Sequence, residues 1–274
     1  MNNNKGNHFR LGSYMRLLLL KQKLRTIRHK KILDVGCNYG EVAGFLAAGN
    51  QVTGIDTDSN ALQIAKKTVK NAKFTYGSAT NIPFPKESFD VVVCLSVLEH
   101  VREDQKVIKE MSRVIKNNGE LILTVPNKNA NLIPTWLEGG IKLINRLFKT
   151  TYPVTGRQYV HFGTEGIGHV RQGYSVEKMN LMLAKEKLTV TSSGSYWHAP
   201  SRLGYMLITP LLKSNVIGQW LAKLSFLPFF LLDRVVKDDK GDIYLFAKKS
   251  LSDSPAEFLE FPSVRGETES DFEQ

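Results

Sequence analysis

The chain of 274 residues is 42% hydrophobic and 23% charged, the balance of an ordinary globular protein and not of a collagen-like, coiled-coil or wholly disordered one. Its two cysteines, Cys37 and Cys94, cannot build a disulfide scaffold or a four-ligand structural zinc site. The net charge of +11 is unevenly spread: residues 1–31 hold nine Lys/Arg and no acid, and residues 251–274 hold seven acids against Arg265 alone, a net −6 that leaves +17 for the rest.

The first segment, residues 1–30, reads as a basic arm or helix. Such an arm suits an anionic partner, either nucleic acid or an acidic lipid surface, or is simply a solvated helix face. Its only continuous apolar run, 17–20, is cut off by Lys21 and is too short for a signal-peptide core, so a cytoplasmic, reducing compartment is expected. From residue 31 short apolar runs alternate with helical stretches. Strands are expected over 31–35, 51–55, 73–76, 90–95 and 120–125, with helices over 40–48, 61–70 and 104–116. That alternation argues for a parallel sheet covered on both faces. Val91-Val92-Val93-Cys94-Leu95 has no polar alternation, as befits a central strand buried on both sides.

After Val125 the regularity loosens. Residues 127–172 read as an irregular or helical insertion. A helix over 176–187, a strand over 188–193 and a last strand over 242–248 follow. Between these two strands lies a second, apolar insertion, residues 197–241. The main domain thus runs over 31–250. The tail, 251–274, is Pro-, Ser- and acid-rich and is expected to be disordered.

The first strand ends in Ile32-Leu33-Asp34-Val35-Gly36-Cys37-Asn38-Tyr39-Gly40. Glycines at a strand–helix turn let the backbone approach a ligand and permit positive φ, and the helix start that follows offers unpaired N–H groups. The spacing is Gly-x-x-x-Gly after an acid, not the Gly-x-Gly-x-x-Gly of nicotinamide enzymes. Asp56 ends the second strand, where a carboxylate can accept both hydroxyls of a ribose. Asp58 is better placed to cap the next helix. To these are added Val52-Thr53-Gly54-Ile55-Asp56, the run from Ile82-Pro83-Phe84-Pro85 to Phe89-Asp90-Val91-Val92, and Val97-Leu98-Glu99-His100-Val101. Together they resemble the class I S-adenosylmethionine (SAM)-dependent methyltransferases, most closely the small-molecule and lipid-quinone branch.

The resemblance implies a Rossmann-like α/β fold: a seven-stranded sheet with helices on both faces and its last strand antiparallel. It implies SAM as cofactor, lying over the carboxyl ends of the first, second and fourth strands. The cofactor residues it carries over are Asp34, Gly36, Cys37, Asn38, Gly40, Asp56, Thr57, Ser78, Ala79, Leu95 and Ser96, with no metal. Asn38 stands where many members have glycine, and asparagine tolerates the left-handed region. Ser78 stands where an aspartate usually meets the adenine, and it offers a hydroxyl in its place.

Ser96-Val97-Leu98-Glu99 fits a capping box, with Ser96 capping a helix and Glu99 returning to its backbone. His100 then falls near the transferred methyl, as a base, as an orienting group or as packing. Gly168-His169-Val170-Arg171 before Tyr174-Ser175 looks like a family segment that brings His169, Arg171 or Tyr174 to the substrate mouth. Read without the family it is a loop capped by Ser175. His161 is a weaker candidate. His100 and His169 are the two catalytic candidates.

Methyl transfer from a sulfonium is an in-line displacement in which alignment does most, and a base is needed only for a hydroxyl or a protonated amine. The expected acceptor is small or lipid-linked, with O-methylation favoured. Residues 1–31 and 197–241 are the expected contacts with an anionic membrane surface, on which the protein would be peripheral. The stretch 216–232 is too short and too interrupted to span a bilayer; it reads as a substrate cap, an interfacial element or a segment buried on the core. Nucleic acid is disfavoured, since the fourth strand lacks an Asn/Asp-Pro-Pro-Tyr ending and the fifth lacks a cysteine. A SAM-binding protein without catalysis is the remaining reading.

Overall fold

A computed structural model describes residues 24–129, 173–196 and 241–250 continuously, and positions 17, 21, 146, 170, 171, 204, 225, 227–229, 231 and 232 besides. Most of the basic arm, most of both insertions, the acidic tail, and His161 and His169 lie outside the described residues.

The strands are β1 (Lys31–Val35), β2 (Gln51–Asp56), β3 (Lys73–Tyr76), β4 (Phe89–Leu95), β5 (Ile115–Val125), β6 (Leu188–Tyr196) and β7 (Asp242–Lys249). Helices α1 (Glu41–Leu46), α2 (Ser59–Thr68), α3 (Asp104–Val114) and α4 (Val176–Ala184) separate them, with a single 3-10 turn at Leu98–His100. The strands form one sheet in the order β3-β2-β1-β4-β5-β7-β6. Its first five pair in parallel, while β7 runs antiparallel to both β5 and β6. This is the sheet the resemblance implies.

The two faces of the sheet bury separate cores. Leu33, Val35, Val92, Cys94, Leu121 and Leu123 meet Val107, Ile108 and Met111 of α3 and Met179 and Leu183 of α4. On the other face Ile32, Val52, Val91, Val93 and Ile122 meet Leu24 from ahead of β1, Ala43 and Leu46 of α1, and Leu62 and Ala65 of α2. A strand buried on both sides explains the unbroken apolar run of β4. Asp58 caps α2 as expected, its Oδ1 accepting from the N–H groups of Asn60 at 2.9 Å and Ala61 at 3.1 Å. Ser175 caps α4 by accepting from Lys178 N at 3.2 Å.

Several boundaries differ from expectation by a few residues, α4 ending at Ala184 among them, and two of the differences have a clear cause. α3 stops at Val114, and Ile115 already pairs with Phe89 before the register shifts and the main β4–β5 ladder resumes at Val91↔Glu120. Asn118, at φ +61°, makes the intervening turn. β6 runs on to Tyr196, because its polar Ser-Ser-Gly-Ser stretch is an edge strand that needs only β7 to pair with. Thr191 is bulged between Val190 and Ser192, and its hydroxyl donates to Phe246 O at 3.1 Å.

Strand direction decides where the insertions sit. β5 ends, β6 ends and β7 begins at one edge of the sheet, with Val125 paired to Ile243 and Tyr196 to Asp242. The roots of residues 127–172 and 197–241 therefore share the carboxyl edge of the parallel strands. Lys128 N donates to Tyr174 O and Tyr174 N to Pro126 O, both at 2.9 Å, which closes the stem of the first insertion. Asn127 Nδ2 donates to Gly241 O at 3.1 Å and joins that stem to the end of the second.

Candidate active site

The turn after β1 is built from three residues in the left-handed region: Gly36 at φ +72°, Asn38 at +47° and Gly40 at +80°. A Cβ on Gly36 would collide with Val97 Cγ2, and one on Gly40 would come within 2.7 Å of the Phe74 ring. Gly36 and Cys37 both donate to Ile55 O, at 2.8 and 3.0 Å, which pins the turn to the end of β2. Asp56 completes the junction. Its Oδ2 accepts from Asn38 N at 2.8 Å and its Oδ1 from Asp58 N at 2.9 Å. The carboxylate therefore holds the two loops together, and its remaining lone pairs are open to a diol.

Asp34 is 2% exposed and its Oδ2 has no hydrogen-bond partner among the described residues. Burial, with a smaller push from Asp56, raises its carboxyl from 3.8 to about 7, against a backbone hydrogen bond from Ala43. Asn38 Oδ1 is likewise buried without a partner among the described residues. Unsatisfied oxygens under a left-handed turn suit a ligand that brings its own donors. The chemistry of the residues present thus fits the cofactor that the resemblance implies.

Cys37 and Cys94 are buried thiols whose ionisation is pushed well up, by burial first and then by neighbouring carboxylates, so neither is a nucleophile at neutral pH. Thr57 is exposed beyond Asp56. Ser78 accepts from Thr80 N at 3.2 Å and lies 2.9 Å from Thr80 Oγ1, so its hydroxyl is partly spent within its own turn. Ala79 is buried beside it. An ion pair fixes this loop from α3: Arg113 donates to Ile82 O and Phe84 O at 2.9 and 2.8 Å, while Glu110 accepts from Ile82 N at 2.8 Å.

The segment after β4 corrects one expectation. Ser96 sits at φ +56° and the turn Leu98–His100 takes Val97 at its N-cap, without a side-chain cap. An N-cap needs extended backbone, so the Ser96–Glu99 capping box does not form. Ser96 N donates instead to Thr124 O at 3.0 Å, tying the end of Leu95 to β5. Glu99 is 2% exposed, and its carbonyl accepts from Val170 N at 2.9 Å and Arg171 N at 3.3 Å. His100, half-buried, follows at the carboxyl edge with its N–H on Val97 O at 3.0 Å.

A second correction concerns Tyr174, which is buried away from the substrate mouth, with Arg171 paired beside it to the same carboxylate. Arg171 Nε pairs with Asp104 Oδ2 at 2.8 Å, and its NH2 donates to Arg102 O at 2.8 Å. Tyr174 is fully buried, its Oη 3.1 Å from Asp104 Oδ2 and 3.2 Å from Leu98 O. Burial, then the Asp104 charge, holds its phenol protonated. Sequence reasoning missed Asp104 as the centre of this clasp, because an acid in a first helical turn reads as a dipole partner. It also missed Val97, whose methyl fills the space over Gly36.

Fold and turn together define an architecture: a Rossmann-like α/β sheet with a left-handed, glycine-bearing turn at its carboxyl edge. Residues 33–123 match the family described as "Methyltransferase domain". Among relatives, the chain is 29% identical over 152 residues to the "Ubiquinone biosynthesis O-methyltransferase" of Coxiella burnetii (strain Dugway 5J108-111), covering 54% of this chain and 64% of that protein. It is 33% identical over 100 residues to the "Demethylmenaquinone methyltransferase" of Thermotoga maritima, covering 35% and 44%. The chain thus spans just under two thirds of the first of these and under half of the second. A SAM-dependent methyltransferase structure from Methanosarcina mazei superposes with a TM-score of 0.51 at 19% identity, over 82% of this chain and 95% of that one, a likeness of fold.

Proposed function

We propose that this protein moves the methyl group of SAM onto a small or lipid-linked acceptor, with a hydroxyl oxygen as the favoured nucleophile. The observation that carries the reading is the Asp34–Asn38–Asp56 junction at the carboxyl edge: two buried oxygens without partners among the described residues and a carboxylate at the end of β2. The names of the relatives, two quinone methyltransferases, support the acceptor class.

When bound, SAM supplies a sulfonium-activated methyl, and no nucleophile of the protein is required. Asp56 holds the ribose hydroxyls and Asp34 accepts from the amino-acid end. The rigid turn above them fixes the direction of attack, which is a proximity effect. His100, at the same edge, takes the acceptor proton when the acceptor is a hydroxyl; His169 is the other candidate for that role. The nine bases of residues 1–31 and the apolar insertion 197–241 fit a peripheral, cytoplasmic position against an anionic membrane.

Calorimetry with S-adenosylhomocysteine tests the cofactor half. Asp56→Ala should weaken binding by roughly 1.5–3 kcal/mol, the worth of hydrogen bonds to a charged acceptor. Transfer of labelled methyl to catechols and hydroquinones, with and without a polyprenyl tail, tests the acceptor half. Preference for NADH over SAM would overturn the proposal.

A further inference from the structure

We infer that the amino edge of the sheet, from which its parallel strands start, is a docking surface for the chain's own acidic segment 251–274. The inference concerns the edge opposite the cofactor turn and is independent of the proposed reaction.

Charge is segregated between the two ends of the strands. The segments that build the amino edge are 25–31, 48–51, 70–73, 86–90, 115–120, 185–188 and 248–250. They hold twelve Lys or Arg against Glu87, Asp90, Glu120 and Glu186, and all twelve but Lys116 and Lys249 are exposed. At the carboxyl edge the segments 36–41, 56–60, 77–81, 96–104, 126–129 and 241–242, with Arg171, hold seven acids against three bases. A cavity of about 330 Å³ opens in the amino edge between the starts of β1, β4 and β5, with Arg28, Lys30, Lys116 and Asn118 in its walls beside Asp90 and Glu120. Asp90 is already spent, on Lys116 Nζ at 2.8 Å and Lys31 N at 2.7 Å, and Glu120 faces Lys248 across the β5–β7 ladder. The surplus at this edge is positive.

Tether and charge choose the occupant. β7 delivers the chain to this edge: Ser250 N donates to Lys187 O at 2.9 Å, and Lys249 Nζ donates to Ser112 O at 2.8 Å and Ile115 O at 2.9 Å, at the end of α3. The Lys249 ammonium is pushed below its usual range, by burial first; Glu87 opposes the push, while Lys187 and Lys86 add to it. Cations thus crowd the root of the acidic segment. Residues 251–274 carry seven acids against Arg265 alone, the opposite sign to the edge from which they leave. β7 stands three strand spacings from β1, about 14 Å. Glu257, seven residues past Ser250, reaches about 23 Å in extended chain, enough to cross from β7 to the cavity beside β1. A tether this short holds the segment at a millimolar effective concentration, which a second copy or a dissolved polyanion must exceed to displace it. At the carboxyl edge the same segment would meet charge of its own sign.

The test is carbodiimide cross-linking of the full chain at low salt, which joins carboxylates to the amines they touch, followed by peptide mass spectrometry of the monomer. Glu257 and Glu260 should couple to lysines of the amino edge, Lys30, Lys86 and Lys187 among them, several-fold more than to Lys106, Lys128 and Lys178. In about 1 M salt, where charges are screened beyond about 3 Å, that preference should vanish. The double variant Lys30→Glu/Lys86→Glu should cut coupling to the remaining edge lysines several-fold. Lys30→Gln/Lys86→Gln serves if the reversal impairs folding, with circular dichroism as the control. Coupling spread evenly over the lysines overturns the inference, as does a preference indifferent to salt or to the double variants. So does coupling chiefly to Lys5, Lys21 and Lys23 of the basic arm. Mixing isotopically labelled with unlabelled chain tells the chain's own edge from a neighbour's: links that join the two isotopes put the segment on a second copy and overturn the inference, and links confined to one isotope support it.

Discussion

Replacing Asp34 by asparagine should stabilise the protein above neutral pH and change little near the ordinary carboxylate range. The carboxyl rises from 3.8 to about 7 because folding strips it of water and leaves Oδ2 without a partner among the described residues. At about 1.4 kcal/mol per pH unit that change is worth about 4 kcal/mol. The sign follows from proton counting. Between about pH 4 and pH 7 the folded chain holds this proton and the unfolded chain does not, so stability falls as pH rises through that window and levels off above it. An asparagine has no proton to lose. The difference between variant and wild type should therefore grow by about 4 kcal/mol from about pH 4 to about pH 8, whatever constant offset the amide brings. Denaturant unfolding of both proteins at stepped pH measures it, since other carboxylates cancel in the difference. A difference independent of pH would refute the reasoning.

The same proton should appear in ligand binding. The resemblance puts the amino-acid end of the cofactor beside Asp34, and its ammonium favours the ionised carboxylate. Below about pH 7 S-adenosylhomocysteine should therefore bind more tightly as pH rises, by up to about tenfold per unit, and should release a proton. Calorimetry in buffers of different ionisation enthalpy reads that proton directly, and Asp34→Asn should abolish it.

Gly36→Ala should lose about 1–3 kcal/mol in denaturant unfolding, since it puts a Cβ at φ +72° and drives it onto Val97 Cγ2; unchanged stability would mean that Val97 yields freely. Tyr174→Phe should cost about 1–3 kcal/mol by leaving Asp104 short of a buried donor, and a melting temperature equal to wild type would remove the clasp from the account. His100→Gln should lower turnover on a hydroxyl acceptor about 10²–10⁴-fold with S-adenosylhomocysteine affinity unchanged; full turnover would show that alignment suffices without this base.

What could be read from the sequence follows from the range of the forces involved. β1 and β3 fall where expected because apolar runs and flanking Gly or Asn fix them locally. The turn from Gly36 to Gly40 was legible for the same reason, since glycine and asparagine are the residues that most readily adopt its three left-handed conformations. Non-local pairing was harder to see. Ile115 leaves α3 because Phe89, far away in sequence, pairs with it. Ser96 fits a capping pattern on paper, but the hydrogen bond of its N–H to Thr124 O accompanies a left-handed backbone that no cap can use. Asp104 shows its role only when Arg171 and Tyr174 arrive from the far side of an insertion.

That division has a mechanistic consequence. The proposed cofactor junction of Asp34, Asn38 and Asp56 lies within two neighbouring strand–turn units, tied to each other by hydrogen bonds. The proposed acceptor side is assembled across the chain. The turn bearing His100 is held at the carbonyls of Leu98 and Glu99 by donors from Tyr174, Val170 and Arg171, residues at the end of the first insertion. Asp104 gathers Arg171 and Tyr174 into one ion-paired knot, and Asn127 links the same stem to Gly241 at the end of the second insertion. The ends of both insertions are thereby tied to the turn that bears His100, while the Asp34–Asp56 junction is held by hydrogen bonds among Ile55, Asn38, Asp56 and Asp58 and the turn after β1. Cofactor affinity and acceptor turnover should accordingly be separable, with substitutions in the clasp acting on the second and sparing the first.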